Sequence, residues 1–524
     1  MKNFLKNLAL IALVLVIASP VFAAKKNASK GGKATTIDLW YGAAVTEAGP
    51  PPADWVAFKI IKDKLGIDLK LTALPSNNAD QNVKINAAGA SNTLPDLFMV
   101  SDEIFDNLVK QGLVADVSGM FKLMPNRTAK LYDKDAKDDS TRNGKIYGLS
   151  QPGSIAKNEG VLIRKDWLDK LGLKVPVTTD DFFNVMKAFT EQDPDGNGKN
   201  DTYGYGAYLE TTADNEGLGR RFDPLMGAFG VAGTWNMTKA NAGLNVKKAD
   251  YFDGLSFVKK CVDAGVVDPN WSSYKKDDFR AAWKQGKFGI MREQNAAYAS
   301  ESNYAPFDKN FPNGEWIIVN PPKGPKGLSA VGTYSISYRR YCVSAKAAKQ
   351  KGKIEKIAEL LEWMSSDEGY YLLGYGVEGV NFKKGANGVP TVEGLPDASK
   401  AYSKSENQPL TQLRNMVYYN SDAELTSRYP TYKTATSGKT MSALKALREM
   451  QSKPWTACIG VAKLPKPTAD VERYLNQGVQ EFLTGKRSLT KENWNAFLKE
   501  FGSIGGDAWE SEGISVAKAN NLLK

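Results

Sequence analysis

The 524-residue chain has no histidine and only three cysteines, Cys261, Cys342 and Cys458. Without imidazole, neither a Ser-His-Asp nor a Cys-His catalytic group can be assembled, and the usual His-bearing zinc sites are excluded too. Catalysis is left with a carboxylate pair, a Ser-Lys pair, or a Tyr, Lys or Arg base. Three widely spaced cysteines cannot all pair within one chain. A single disulfide is the most they allow, and the sequence does not choose its partners. Long apolar runs are equally scarce. The one at Leu8–Ala18 is too short to cross a bilayer comfortably.

That run instead reads as the core of a secretory signal over Met1–Ala23. Lys2 and Lys6 form its charged end, and Val21-Phe22-Ala23 supplies the small-residue cleavage site. No cysteine stands at the cleavage position, so no lipid anchor is expected. The mature protein should be exported, periplasmic or otherwise extracytoplasmic, with the signal cleaved. Losing Lys2 and Lys6 takes the formal charge from +11 to +9, which can raise the local concentration of an anionic ligand. There is no arginine-rich block or nucleic-acid motif, and nucleic acid is not an expected partner. With 42% hydrophobic and 24% charged residues, the composition is that of a folded, globular protein.

Residues 24–35, rich in Lys, Gly, Ser and Ala, read as a mobile leader. From there the chain alternates. A strand at Ile37–Gly42, a helix at Trp55–Leu65 stopped by Gly66, a strand at Ile67–Leu71, a helix at Ala79–Ala90 and an apolar strand at Pro95–Val100 together predict an α/β sheet. Strands at Lys145–Leu149 and Gly160–Asp166 follow, then helices at Trp167–Leu171 and Asp181–Thr190, the second with an N-cap among Thr178, Thr179 and Asp180. Further helices are expected at Tyr251–Ala264, Lys276–Gln285, Ile354–Ser365, Thr440–Met450, Thr468–Leu483 and Lys491–Phe501, with a strand at Phe288–Met291.

The most specific stretch is Asp193-Pro-Asp195-Gly-Asn197-Gly-Lys199-Asn-Asp201. Its oxygen side chains alternate as in an EF-hand-type Ca²⁺ loop, with Gly198 at the sharp turn and the Lys199 carbonyl as a further ligand. The twelfth position, where a bidentate Glu would stand, is Gly204. Another segment or water must therefore complete the coordination. A helix enters this loop and a strand leaves it, so the cation should be structural.

Gly160 to Gly204, with RKDWLDKLG, Val-Pro, DDFFNVMKAFT and DPDGNGKNDTYG in succession, closely resembles the extracellular solute-binding proteins of carbohydrate ABC importers. The resemblance is to the large type that includes oligouronate- and alginate-binding proteins. Asn143–Leu149, Asp278–Gly286, Met364–Gly369, Gly376–Gly379 and Glu481–Lys486 recur there in similar order, so nearly the whole mature chain is covered. The resemblance implies an α/β, two-lobed periplasmic-binding-protein-like (type II) fold with discontinuous lobes and a hinge. Residues 36–157 plus about 335–400 would form the N-terminal lobe, and 158–334 plus about 401–524 the C-terminal lobe carrying the calcium loop. The hinge crossings would fall near Lys157–Leu162 and Tyr334–Tyr341. It also implies a monomer that captures an oligosaccharide without catalysis and delivers it to an ABC transporter membrane permease, with a structural Ca²⁺ at Asp193, Asp195, Asn197, Lys199 and Asp201. Some relatives follow the last Asp with an acidic ligand, where this chain has Thr202.

A sugar cleft needs aromatic faces and planar polar groups. Trp40, Tyr41, Trp235, Trp316 and Tyr334 lie in or beside Gly/Pro-bearing connections and are the candidate platforms. Asp102, Glu103, Arg292, Glu293 and Glu378 are the candidate polar contacts, whereas Trp167, Trp363 and Trp494 sit at helical spacing and should be core. Ser437-Gly-Lys439-Thr440 echoes a phosphate loop but lacks its first glycine. The alternative function is a secreted polysaccharide-degrading enzyme, either a carboxylate-pair glycosidase or a calcium-assisted lyase.

Overall fold

The computed structural model describes residues 34–45, 48–75, 78–209, 216–333, 336, 338–456, 464–519 and 521–523. The signal stretch, most of the leader, Tyr334 and Cys458 lie outside them. Nine strands build two sheets: β1 (Thr35–Gly42), β2 (Ile67–Leu74), β3 (Leu97–Val100), β4 (Leu149–Pro152), β5 (Glu159–Arg164), β6 (Tyr203–Gly206), β7 (Phe288–Gln294), β8 (Trp316–Val319) and β9 (Tyr338–Val343). The first sheet has the order β2-β1-β3-β9-β4 and the second β8-β5-β7-β6. β1 runs parallel to β2 and β3, while β9, which arrives much later in the chain, lies antiparallel between β3 and β4.

Alternation along the strands shows why both sheets are covered on both faces. Ile37, Leu39 and Tyr41 of β1 join Leu97, Tyr341 and Val343 in one core cluster, while Phe98, Val100 and Cys342 point to another. Val161 and Ile163 of β5 likewise face one cluster with Trp167, Phe189 and Trp494, and Leu162 faces a second with Trp283 and Met450. Apolar clusters lie on both faces of each sheet, and the central β5 is buried along its whole length. Trp167, Trp363 and Trp494 are buried, as their helical spacing predicts.

The core clusters also place later segments. Leu413, Met416, Val417 and Tyr418 pack with Ile37 and Leu97, so residues 401–418 belong with the first sheet and not the second, contrary to expectation. Their apolar side chains follow 3-10 turns whose spacing gives no periodic signal. The final helices Ala469–Thr484, Lys491–Phe501 and Asp507–Ala519 pack with the second sheet. Cys261 and Cys342 are free, buried thiols. Among the described residues no helix is long and apolar enough to cross a membrane.

Candidate functional site

The chain leaves the first sheet at Pro152 and enters the second at Glu159, so the sheet edges bordering this passage define the space between the lobes. On the first side, β1 and β3 end at Gly42 and Val100, next to the start of β9. On the second, the parallel strands β6 and β7 end beside Glu159, which pairs with Gln294. Ligands of open α/β sheets sit beyond such carboxyl ends.

The second edge holds a buried charge network. Arg292 is fully buried; its Nε is 2.8 Å from Glu159 and its Nη1 3.1 Å from Asp223. The same guanidinium donates to the Arg220 and Gly332 carbonyls, both at 2.8 Å. Arg221 lies 3.6 Å from Glu159 and 3.7 Å from Glu293, and Arg280 reaches Glu293 at 3.0 Å. Burial pushes the Glu159 carboxyl up, but the Arg221, Arg292 and Arg220 guanidiniums outweigh it and hold it down at about 2. For Asp223 burial wins over Arg292, and the carboxyl is pushed up to about 6. A half-buried indole completes this edge. Trp455, whose Nε1 donates to the Met450 carbonyl at 2.9 Å, has its ring centroid 6.0 Å from the Arg292 guanidinium.

Of the predicted contacts, three come together on the first edge. Trp40 is half-buried near the end of β1 with the Lys84 ammonium 4.7 Å from its ring, and exposed Asp102 and Glu103 open the helix Asp102–Lys110 after β3. Asp102 accepts from Arg340 at 2.8 Å. Others belong elsewhere. Tyr41 is 1% exposed and faces the core, because alternation along β1 turns it away from Trp40. Trp235 is 8% exposed and lies edge-on against Trp509, and Trp316 is 3% exposed between Trp283 and Phe307. Neither Trp is a sugar platform. Their Gly-flanked settings suggest loops, but the helix Asp507–Ala519 covers Trp235 through Trp509, and the helices Lys276–Lys284 and Glu301–Asn310 cover Trp316 through Trp283 and Phe307. Arg292 and Glu293 are at the site as its sealed floor, not as free contacts. Glu378 is exposed and paired with Lys384 at 3.2 Å, in a turn that packs with the first sheet's helices. Tyr334 lies outside the described residues. Sequence reasoning missed Glu159, Arg220, Arg221, Asp223 and Trp455. The tandem Arg220-Arg221 two residues before Asp223 was the available signal.

The model of the family of bacterial extracellular solute-binding proteins matches residues 29–371. The chain belongs to that family. A polygalacturonan/rhamnogalacturonan-binding protein of Bacillus subtilis, YtcQ, is 27% identical over 433 residues, spanning 76% of this chain and 82% of that one. The fructooligosaccharide-binding FusA of Streptococcus pneumoniae, solved with kestose, superposes with a TM-score of 0.64 at 19% identity, covering 93% of this chain and all of that one. Its EF-hand mutant, solved with fructo-nystose, gives a TM-score of 0.63 at 19% identity and the same coverage. A solute-binding protein from Bifidobacterium longum infantis that binds HMO gives 0.67 at 18%, covering 92% and 99%. These structural likenesses show the two-lobed α/β fold.

In this solute-binding protein the Asp193–Asp201 loop lies at the surface, at the far end of the helix Thr179–Glu191. Thr178 and Asp181 form a reciprocal cap at the start of that helix. Asp193 takes a left-handed backbone at φ 45°, as do Gly196 and Gly198 at 77° and 74°, and the loop curls around the Asp193 carboxylate. That carboxylate accepts from the Gly198 and Gly196 amides at 3.0 Å and from Asn197 at 3.1 Å, and the Gly198 amide leads in holding it below the usual range. Asn197 Nδ2 reaches Asp195 at 2.8 Å and Asp201 at 3.1 Å. Burial, then the neighbouring Asp193 and Asp201, raise Asp195. Among the described residues no three His, Cys, Asp or Glu side chains stand as a ready metal cluster. The loop's donor set is three carboxylates, one amide and one carbonyl. Thr202 is buried and donates to the Phe189 carbonyl at 2.8 Å, so its hydroxyl caps the helix instead of facing the loop.

Proposed function

We propose that this solute-binding protein captures an oligosaccharide between its lobes and passes it to the membrane permease of an ABC importer without chemical turnover. The observation that carries the reading is the family match over residues 29–371, in a fold whose two sheets turn their carboxyl ends toward the crossings. Acidic sugars are favoured over neutral ones by the mature charge of +9 and by the partly exposed Arg220 beside the network. The polygalacturonan-binding relative supports the same preference. Trp40 and Trp455 are the stacking faces, one on each sheet edge.

A thermal-shift screen followed by calorimetry tests this with oligogalacturonates and kestose as probes. Oligogalacturonate binding should be weakened about tenfold by Trp40→Ala and by Trp455→Ala, about 1.4 kcal/mol each, and left unchanged by Trp235→Ala. Scattering should show a smaller radius with ligand. Affinity for a peptide but for no sugar, or release of shortened sugars over hours, overturns the reading.

The same reading includes a structural Ca²⁺ held by Asp193, Asp195, Asn197, the Lys199 carbonyl and Asp201. Its support is the donor set, all oxygen and acidic enough to repel itself, which suits a hard dication. The ion would supply charge balance, pinning the helix Thr179–Glu191 to β6.

A further inference from the structure

Arg292 does more than neutralise Glu159. Its three nitrogens reach four groups from three separate parts of the chain: the Glu159 carboxylate, the Asp223 carboxylate, the Arg220 carbonyl and the Gly332 carbonyl. Glu159 is the first residue of β5, where the chain arrives from the first sheet. Gly332 is where it prepares to return, since the next strand, β9 from Tyr338, belongs to that sheet. The second-lobe ends of two crossings are therefore held by one guanidinium. The grip at Gly332 is close: a Cβ there would stand 2.2 Å from the Asp223 carboxylate that Arg292 also holds. Beyond it, Val331 and Thr333 are tied to the segment containing Trp455, the Val331 amide to the Pro454 carbonyl and the Thr333 amide to the Thr456 hydroxyl, both at 2.9 Å.

We propose that Arg292 is a hinge-positioning residue, fixing the second-lobe ends of these two crossings in one register and so narrowing the set of angles the lobes sample. A planar fork can satisfy a carboxylate and a carbonyl on different strands at once, which a lysine ammonium cannot do with the same directions. With the fork lost, Glu159 and Gly332 are no longer held to one another and the lobes sample a wider set of angles. The inference concerns the ligand-free fold, so it stands or falls separately from the choice of solute.

The test measures the distance between spin labels at Lys110 and Lys499, exposed positions on helices packed with the first and second sheets respectively. Both are changed to Cys in a Cys458→Ser background; Cys261 and Cys342 are 0% exposed and stay unlabelled. Double electron–electron resonance on the ligand-free protein should give a distribution about twofold broader for Arg292→Lys than for the parent. Arg164→Lys is the control. Arg164 is equally buried but sits at the other end of β5, paired with Asp166 and stacked on Trp167, and its loss should lower stability while leaving the width unchanged. If Arg292→Lys does not fold, Glu159→Gln, which keeps the volume and removes the charge partner, decides by the same readout. Parent-like width in the variant read, or equal broadening in Arg164→Lys, overturns the proposal.

Discussion

Two groups of three carboxylates in this protein meet opposite fates. Glu159, Asp223 and Glu293 converge inside the second lobe among Arg220, Arg221, Arg280 and Arg292, with Glu159 and Glu293 fully buried. Asp193, Asp195 and Asp201 share one surface loop with no arginine among their hydrogen-bond partners, and backbone amides and the Asn197 side chain donate to them. Like charges gather only where something of opposite sign is supplied. The buried group carries its cations covalently and is complete as folded. The surface group has no arginine beside it, and under the proposed reading its counter-charge would come from a cation in solution. The first should therefore respond to mutation and pH, and the second to the ionic content of the medium.

The largest effect should come from breaking the buried group. Glu159→Gln leaves Arg221 and Arg292 without their shared counter-charge, and one-sided loss of a buried pair costs about 3–5 kcal/mol. Urea unfolding at neutral pH measures it, and a loss below about 1 kcal/mol would mean the network is worth no more than a surface pair. Next is the loop. Chelating Ca²⁺ should remove about 2.7 kcal/mol of apparent stability where the ion was at a hundredfold its dissociation constant, leaving oligosaccharide affinity unchanged. Equal melting temperatures with and without added Ca²⁺ would count against a bound ion.

Acid titration separates the two members of the buried group. Glu159 is held at about 2, below its ordinary 4.5, so its stabilisation is in place above pH 4.5 and is lost as pH falls toward 2. Asp223 is raised to about 6 from 3.8, so its contribution is in place below 3.8 and is lost as pH rises through 6. Above pH 4.5, Asp223 is the one of these two whose contribution still changes. Wild-type stability should decline from pH 4.5 to 6.5 relative to Asp223→Asn; parallel profiles would refute the raised carboxyl. The smallest effect should come from Lys170, whose ammonium donates to the Asp193 carbonyl at 3.3 Å and would compete with the proposed cation there. Lys170→Gln should tighten Ca²⁺ binding by about 0.2–1 kcal/mol at low salt, as read by calorimetry, and weaker binding would contradict this placing of the charge.

These two groups also show what a sequence can disclose. The turn of the loop was legible because its polar side chains and glycines fall within nine successive residues, where spacing alone sets geometry. Strands β1, β2, β3, β5 and β7 were legible for the same reason, each holding a short apolar run between turn residues; β4, β8 and β9 were not, and β9, Tyr-Arg-Arg-Tyr-Cys-Val, has no such run. The network was not, since Glu159, Asp223 and Arg292 meet only after three distant segments are folded together. Arg292 and Glu293 were singled out at a strand end, but nothing local distinguished a free contact from a sealed floor. Trp235 and Trp316 misled by the reverse route: a nearby glycine suggested exposure, but Trp509 from far along the chain covers Trp235, and Trp283 and Phe307 on the preceding helices cover Trp316. Trp455 follows a Pro and precedes no periodic element, so its place beside Arg292 had no local trace.

Gly204 has a consequence for how this molecule can change. A side chain there would run into the backbone of Met186, its Cβ 2.3 Å from the Met186 Cα, because β6 lies directly on the helix Thr179–Glu191. The loop's twelfth position is therefore closed to glutamate by the packing of strand on helix, whatever selection might favour. If the proposed Ca²⁺ is bound, a descendant could not tighten that hold by a Gly204→Glu substitution without first parting the strand from its helix. Gains in affinity would have to come from the rim of the loop, at Lys170, Lys199 or Asn200, where a change of charge costs the core nothing.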